Sequence, residues 1–272
     1  MITLFLAVLA GVAAGGVSAV WLPWWAGALI GAAVLAGGQF AAGRVLKPRV
    51  EARIRGVQDI LTNGQKRLKQ KMAGWQIRPP GSVKQAQLEM ERDQRAFIEK
   101  ALAEVKKLEP WEKWSPLLRR QVATMRLQLH WQLRDMREVD ALMPRAMFMD
   151  PMSLAMRLAR KIMLDTPPVE LKKWFAKSVG RTRDKQGALL YAAYSWALLK
   201  RNDLDAAHKV LIEACDRMEN ETLKRNKDAI ANNQPNKFSN AGFGDEWYAL
   251  WLEDPPKPKV QRQMPPRGGR PF

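Results

Sequence analysis

The stretch Lys200-Arg201-Asn202-Asp203-Leu204-Asp205-Ala206-Ala207, followed by Val210, Leu211 and Ala214, decides the fold. Asn and Asp side chains bond readily to nearby backbone, so Asn202-Asp203 reads as the stop of one helix and the start of another. Upstream, Ala188–Lys200 carries Tyr191, Tyr194, Ser195 and Leu198 on a helical face. Downstream, residues 204–218 place Ala207, Leu211 and Ala214 at four- and three-residue steps. Small side chains at Ala207 and Ala214 let the second helix lie close against the first. A tight turn between two such helices makes an antiparallel pair.

The same frame recurs in Arg134-Asp135-Met136-Arg137-Glu138-Val139, with Met143, Ala146 and Pro151 after it. The two turn aspartates, Asp135 and Asp203, stand 68 residues apart, twice a period of about 34. Residues 152–164 and 169–179 supply a pair between them, with Leu171, Trp174 and Phe175 expected to face inward and Thr166-Pro167-Pro168 as its turn. Over roughly residues 114–219 this resembles a tetratricopeptide (TPR) repeat array. The resemblance implies an α-solenoid, with Met143, Ala146, Tyr191, Ser195, Leu198, Ala207, Leu211 and Ala214 as repeat-packing residues. Ser195 stands where the family usually has glycine, and the middle pair departs from the pattern at its two prolines. Helical readings at 83–108, 114–133 and 137–149, and no alternating strands, make the whole chain all-α.

The N-terminus is of another kind. Residues 1–43 contain no charged side chain, although the chain as a whole has 45 Lys and Arg against 27 Asp and Glu. Two apolar runs of about 20 residues, each near the ~30 Å of a bilayer's hydrocarbon core, flank Trp21-Leu22-Pro23-Trp24-Trp25. Proline breaks the helix there, and tryptophan suits the membrane–water interface. Gly11 and Gly15, then Gly27 and Gly31, repeat the small-xxx-small spacing of closely approaching helices. The expectation is a transmembrane helical hairpin. A cleaved signal peptide ending near Ala19 would need a basic n-region, which is missing, and a second apolar run follows at once. Trp21, Trp24, Trp25, Arg44, Lys47 and Arg49 are the expected interface residues. Ten basic residues lie from Arg44 to Arg78 against Glu51 and Asp59, so the positive-inside tendency puts both termini in the cytoplasm, at an inner membrane if the cell is bacterial.

Residues 44–81 read as a basic amphipathic neck, helical over 48–72 with Pro48 at the helix start. Its apolar stripe (Val50, Ile54, Val57, Ile60, Leu61, Leu68) admits two readings, a helix lying on anionic lipid or a solvated continuation of the second span. Arg78-Pro79-Pro80-Gly81 marks the boundary to a helical domain over 82–253, in which Glu221–Ala231 is a polar capping helix. Phe243, Trp247, Tyr248 and Trp251 form an aromatic segment read either as a partner surface or as a docked C-terminal helix. Residues 254–272 are a basic, Pro-rich tail without the apolar content to fold.

Catalytic signals are thin. His130, His208 and Cys215 are the sole histidines and cysteine, each within a repeat helix, and no phosphate loop, H-E-x-x-H or C-x-x-C pattern occurs. One cysteine permits no intramolecular disulfide. Glu89, Glu91 and Asp93 are expected on a solvated face beside Arg92 and Arg95. The expectation is no catalytic, cofactor or metal residue, and no cofactor. The net charge of +18 favours anionic partners, with basic clusters at 119–120, 157–161, 172–177 and 181–185. Two spans ahead of a TPR-like domain are similar in layout to the HemY-type inner-membrane proteins. The leading expectation is a membrane-anchored scaffold for a protein partner. The alternative is a membrane-tethered binder of nucleic acid or anionic lipid.

Overall fold

A computed structural model describes residues 2–21, 23–77, 82–182 and 186–256. Among them every regular element is helical, so the fold class is all-α. The chain divides into two compact units, residues 1–148 and 149–272. The expected boundary at Arg78–Gly81, residues 183–185 of the basic cluster and most of the tail lie outside the described residues.

In the first unit, α1 (Ile2–Ala19) and the start of α2 (Trp24–Ile77) form an antiparallel hairpin. Glycine is required at its contact. A methyl group at Gly11 would stand 2.7 Å from the Gly31 carbonyl oxygen, and one at Gly15 would stand 2.9 Å from that of Gly27. The small-xxx-small spacing therefore brings backbone against backbone. Among the described residues, no helix is long and apolar enough to cross a membrane.

The neck differs from its expected form. α2 is one helix of 54 residues, and Pro48 lies inside it rather than at its start. A proline removes one backbone donor, here to the Arg44 carbonyl, and good helix formers on either side carry the helix through. Its apolar stripe is neither on lipid nor in solvent. Val57 is buried with Ile98, Ala101 and Val105 of α3 (Val83–Lys106), and Val50, Ile54, Ile60 and Leu61 pack around them. Gly64 admits the Phe97 ring, whose Cγ lies 2.5 Å from where a methyl group would sit. Ion pairs flank the seam. The Arg53 guanidinium donates to Glu104 at 3.0 Å, and Lys71 reaches Asp93 at 2.7 Å and Glu89 at 3.1 Å. Glu89 and Asp93 thus pair across helices with Lys71, Glu91 accepts from Gln87 on its own helix, and Arg95 pairs with Glu99.

α4 (Glu109–Glu112), α5 (Pro116–Gln132) and α6 (Met136–Leu142) complete this unit. The helix expected to run to residue 149 stops at Leu142. Pro144 cannot donate to residue 140, and the Thr124 hydroxyl on α5 accepts the Met147 N–H at 2.8 Å, holding that strand of chain outside a helix. Met143 caps α6, and Ala146 lies beyond it, both half-buried.

The second unit comprises α7 (Pro151–Met163), α8 (Pro168–Val179), α9 (Ala188–Lys200), α10 (Leu204–Arg217), α11 (Glu221–Ala231) and α12 (Asp245–Tyr248), with short 3-10 turns at Pro235–Lys237 and Ala241–Phe243. α9 is its centre. Leu190, Tyr191, Ala192, Ala193 and Ser195 are all buried, as a helix apolar around its circumference requires. α7 and α10 pack against it, and Ala207, Leu211 and Ala214 of α10 are fully buried. Phe175 of α8 stacks on Tyr194 at 4.2 Å and meets Tyr191 edge-on at 5.1 Å.

One turn geometry recurs along the chain. Arg134, Asp165, Asn202 and Asn233 each take positive φ, from 48° to 60°. The residue after each returns its N–H to a carbonyl five positions back: Asp135 to His130, Thr166 to Lys161, Asp203 to Leu198, and Gln234 to Ala229. These are the 6→1 bonds of a Schellman cap, usually built on glycine. Asp135 and Asp203 then cap the next helix, accepting the N–H groups of Glu138 and Ala206.

Candidate functional site

The catalytic candidates are structural in placement. His130 Nδ1 lies 3.2 Å from Asp135 Oδ2, and that aspartate is the cap of α6, so the pair closes a turn. His208 and Cys215 are half-buried on α10. Burial pushes the Cys215 thiol up from its ordinary value, which keeps it protonated and a poor nucleophile. Among the described residues, no group of three or more His, Cys, Asp or Glu could hold a metal. A cleft of about 730 Å³ in the first unit is lined by Glu109, Glu112, Arg119, Arg120 and Arg145. Burial first, and Glu109 second, raise the Glu112 carboxyl above the usual carboxylate value. Glu109 itself receives Arg126 Nη1 at 3.0 Å.

The interface candidates stand at the hairpin turn. Trp21 is 87 % exposed, Trp24 81 % and Trp25 56 %. Arg44 and Arg49 are exposed on α2, and the side chain of Lys47 lies outside the described set. The outer faces of both hairpin helices expose Phe5, Leu9, Val12, Val17, Leu29 and Phe40. A contiguous apolar surface of this kind is rare on a water-facing protein and marks an interaction face.

Trp174 was expected to point inward with Leu171 and Phe175. Those two are buried, but Trp174 turns half outward and gathers cations. Arg157 Cζ lies 4.1 Å from its ring centroid, Lys161 Nζ 5.3 Å and Lys177 Nζ 5.6 Å. A ring face attracts cations through its quadrupole, which is how one indole can hold three together. Burial, then the neighbouring Arg181, lowers the Arg157 pKa from its ordinary value. Glu170 answers part of this charge, accepting the Trp174 indole N–H at 3.1 Å and lying 3.6 Å from Lys161. The i, i+4 spacing of Arg157 and Lys161 was visible in the sequence. Their meeting with Trp174 required α7 to fold against α8.

Of the aromatic segment, the partner-surface reading fails at Trp247, which is completely buried. Its indole N–H donates to Glu253 Oε2 at 2.8 Å, and Trp196 of α9 donates to Oε1 of the same carboxylate at 2.7 Å. The rings meet edge-on at 6.1 Å. Buried Asn240 fixes the approach of this segment, donating to the Ala192 carbonyl and accepting from Asn226 at 2.8 Å. Phe243, Tyr248 and Trp251 are half-buried beside it. Trp196 and Glu253 were missed by sequence reasoning, since nothing local links positions 57 residues apart. The chain matches no family model, no curated protein and no solved structure.

Proposed function

We propose that this protein is a membrane-anchored, TPR-like scaffold that presents its helical pairs to a protein partner at the cytoplasmic face. The observation that carries the reading is the hairpin's outer surface. A charge-free pair of helices exposes large apolar side chains, with Val12 70 % and Phe5 65 % accessible, and meets backbone to backbone at Gly11–Gly31 and Gly15–Gly27 on the inside. Lipid is the solvent such a surface fits. At 18 residues α1 extends about 27 Å, just short of the ~30 Å hydrocarbon core, and a short span is accommodated by local thinning at a modest cost. Exposed tryptophans at the turn and arginines at the other end match the two interfaces.

Support for the repeat reading comes from the helix-to-helix turns at Arg134, Asp165 and Asn202, which share one cap geometry, and from the close packing of Ala207 and Ala214 under α9. Arrays of such pairs present extended binding surfaces without chemistry. The test is alkaline carbonate extraction of membranes, with in-cell photocrosslinking from α8 and α10. Retention in the pellet and reproducible capture of one protein are the expected results. Release of the chain by alkali would overturn the anchor, and absence of a reproducible capture would overturn the scaffold.

A second reading has its own observation in the cluster around Trp174. Arg157, Lys161 and Lys177 held about one ring would attract a phosphate-bearing polyanion, either nucleic acid or anionic lipid. Binding to RNA or to phosphatidylglycerol vesicles that falls steeply with salt, and falls again in Lys161→Gln/Lys177→Gln, would favour it over the scaffold.

A further inference from the structure

In the first unit, the cleft of about 730 Å³ draws exposed arginines from two separate parts of the chain. Arg119 and Arg120 reach it from near the start of α5, and Arg145 from the turn that follows α6. No acidic side chain stands three or four residues from any of them, so none is answered within its own segment. The helix dipole disfavours cations near the start of α5, so helix stability does not account for that pair either. The position of Arg145 is fixed by backbone. Its N–H and that of Ala146 both donate to the Leu142 carbonyl at 3.0 Å, and Thr124 of α5 holds Met147 just beyond. Lys113 is a further cation of the lining, and Glu109 and Glu112 are its carboxylates, which leaves two positive charges in excess. Arg126, from outside the lining, donates to Glu109 at 3.0 Å and adds to that excess. Glu112 makes no ion pair among the described residues, although Arg126, Arg119 and Arg145 all act on it through space.

Water satisfies each exposed arginine singly; the fold adds their convergence on one concave surface, where low-dielectric walls focus the field. Guanidinium forks match phosphate oxygens two at a time. A carboxylate offers two oxygens and one charge, too few for three forks and an excess of two. A phosphate monoester offers three free oxygens and about −1.5 to −2 of charge near neutral pH. The rest of the wall selects the body that carries the phosphate. Apart from Pro116 and Pro144 the lining has no apolar side chain, and the carboxyl oxygens of Glu109 and Glu112 accept hydrogen bonds. A hydroxylated body meets those acceptors, and the volume lies within the range of small-molecule sites.

We propose that this cleft binds a phosphorylated polyol, its phosphate held by Arg119, Arg120 and Arg145 and its hydroxyls donating to Glu109 and Glu112. A free sugar phosphate and a phosphorylated inositol lipid headgroup offer the same chemistry. The site is independent of the anchor and scaffold reading, and it lies in the other unit from the cations about Trp174. Calorimetric titration of the full chain in non-ionic detergent with glucose 6-phosphate, inorganic phosphate and glucose tests it. Saturable binding of glucose 6-phosphate about tenfold tighter than inorganic phosphate is expected, with no binding of glucose, since charge-assisted hydrogen bonds are the stronger kind. Tighter binding of phosphatidylinositol 4-phosphate dispersed in the same detergent assigns the site to a lipid headgroup, and the reverse assigns it to a free sugar phosphate. Arg145→Gln, a change on an exposed turn, should weaken glucose 6-phosphate about tenfold with an unchanged melting curve. Arg119→Gln/Arg120→Gln should abolish saturable binding, and Glu112→Ala should remove the advantage of glucose 6-phosphate over inorganic phosphate. No saturable binding of either phosphorylated polyol, equal binding of glucose 6-phosphate and inorganic phosphate, or full affinity in Arg145→Gln would each overturn the assignment.

Discussion

Replacing Trp247 by alanine separates a core residue from a docking residue. The side chain is completely buried, its ring meets Trp196 at 6.1 Å, and its N–H donates to a carboxylate at 2.8 Å. Truncating a buried tryptophan costs about 3–5 kcal/mol, part of it the cavity left behind. The bond to charged Glu253 accounts for about 1.5–3 kcal/mol of its own kind, so Trp247→Phe, which keeps most of the ring, should lose less than the alanine variant. For a domain of this size, about 2–4 °C of Tm accompanies each kcal/mol, which puts the fall for Trp247→Ala at roughly 6–20 °C. Far-UV circular dichroism of the full chain in detergent reads it, with limited proteolysis reporting release of residues 235–256. A melting curve within about 2 °C of the parent, combined with loss of a captured partner, would refute the burial argument and return Trp247 to the surface.

Gly38 and Ala7 face each other across the hairpin, with a methyl group at Gly38 falling 3.5 Å from the Ala7 Cβ. In a Cys215→Ser background, Ala7→Cys/Gly38→Cys should therefore close an intramolecular disulfide, read by gel mobility and mass, and adding Gly31→Leu should suppress it. Gly64→Ala should destabilise despite the better helix propensity of alanine, because its methyl group meets the Phe97 ring near its root; a loss of about 1–3 kcal/mol by denaturant titration, relieved in Gly64→Ala/Phe97→Ala, is the expected pattern. Lys107 and then Arg53 hold the Glu104 carboxyl below its ordinary value, so its contribution is complete at neutral pH and is lost as pH falls through that depressed value. Glu104→Gln should flatten the acid limb of the stability profile below about pH 4.3 and leave the alkaline limb unchanged. Asp93 and Glu89 raise the Lys71 pKa, so its contribution persists below the ordinary lysine value and is lost only in stronger alkali; Lys71→Met should alter the alkaline limb alone.

Where local signals dominate, the sequence was legible. α9 and α11 span the residues expected of them, Ala188–Lys200 and Glu221–Ala231, and the glycine spacing of residues 11–31 meant close helix contact. The neck was misread at Pro48 because proline marks a helix start and an interrupted helix alike, and only packing on α3 distinguishes them. The end of α6 depended on the Thr124 hydroxyl, which holds Met147 from 23 residues upstream of it, beyond any local window of sequence. The candidate sites divide in the same way. Exposed Trp21, Trp24 and Trp25 follow from composition and a proline. The cations about Trp174, and the indole pair sharing Glu253, exist only once separate helices meet.

The uninterrupted run of α2 has a consequence for rotation. One rod carries Gly31, which meets α1, and Val57, which is buried against α3, so the azimuth between hairpin and core is set by counting residues along a single helix. Each residue advances that azimuth by about 100°, and seven bring it nearly back to its starting angle. A single inserted alanine between Gly31 and Val57 would therefore turn the core about its own axis relative to the hairpin, whereas seven would lengthen the rod by about 10 Å and restore the heading. The joint acts as a keyed shaft rather than a swivel, and torque applied at one end arrives at the other.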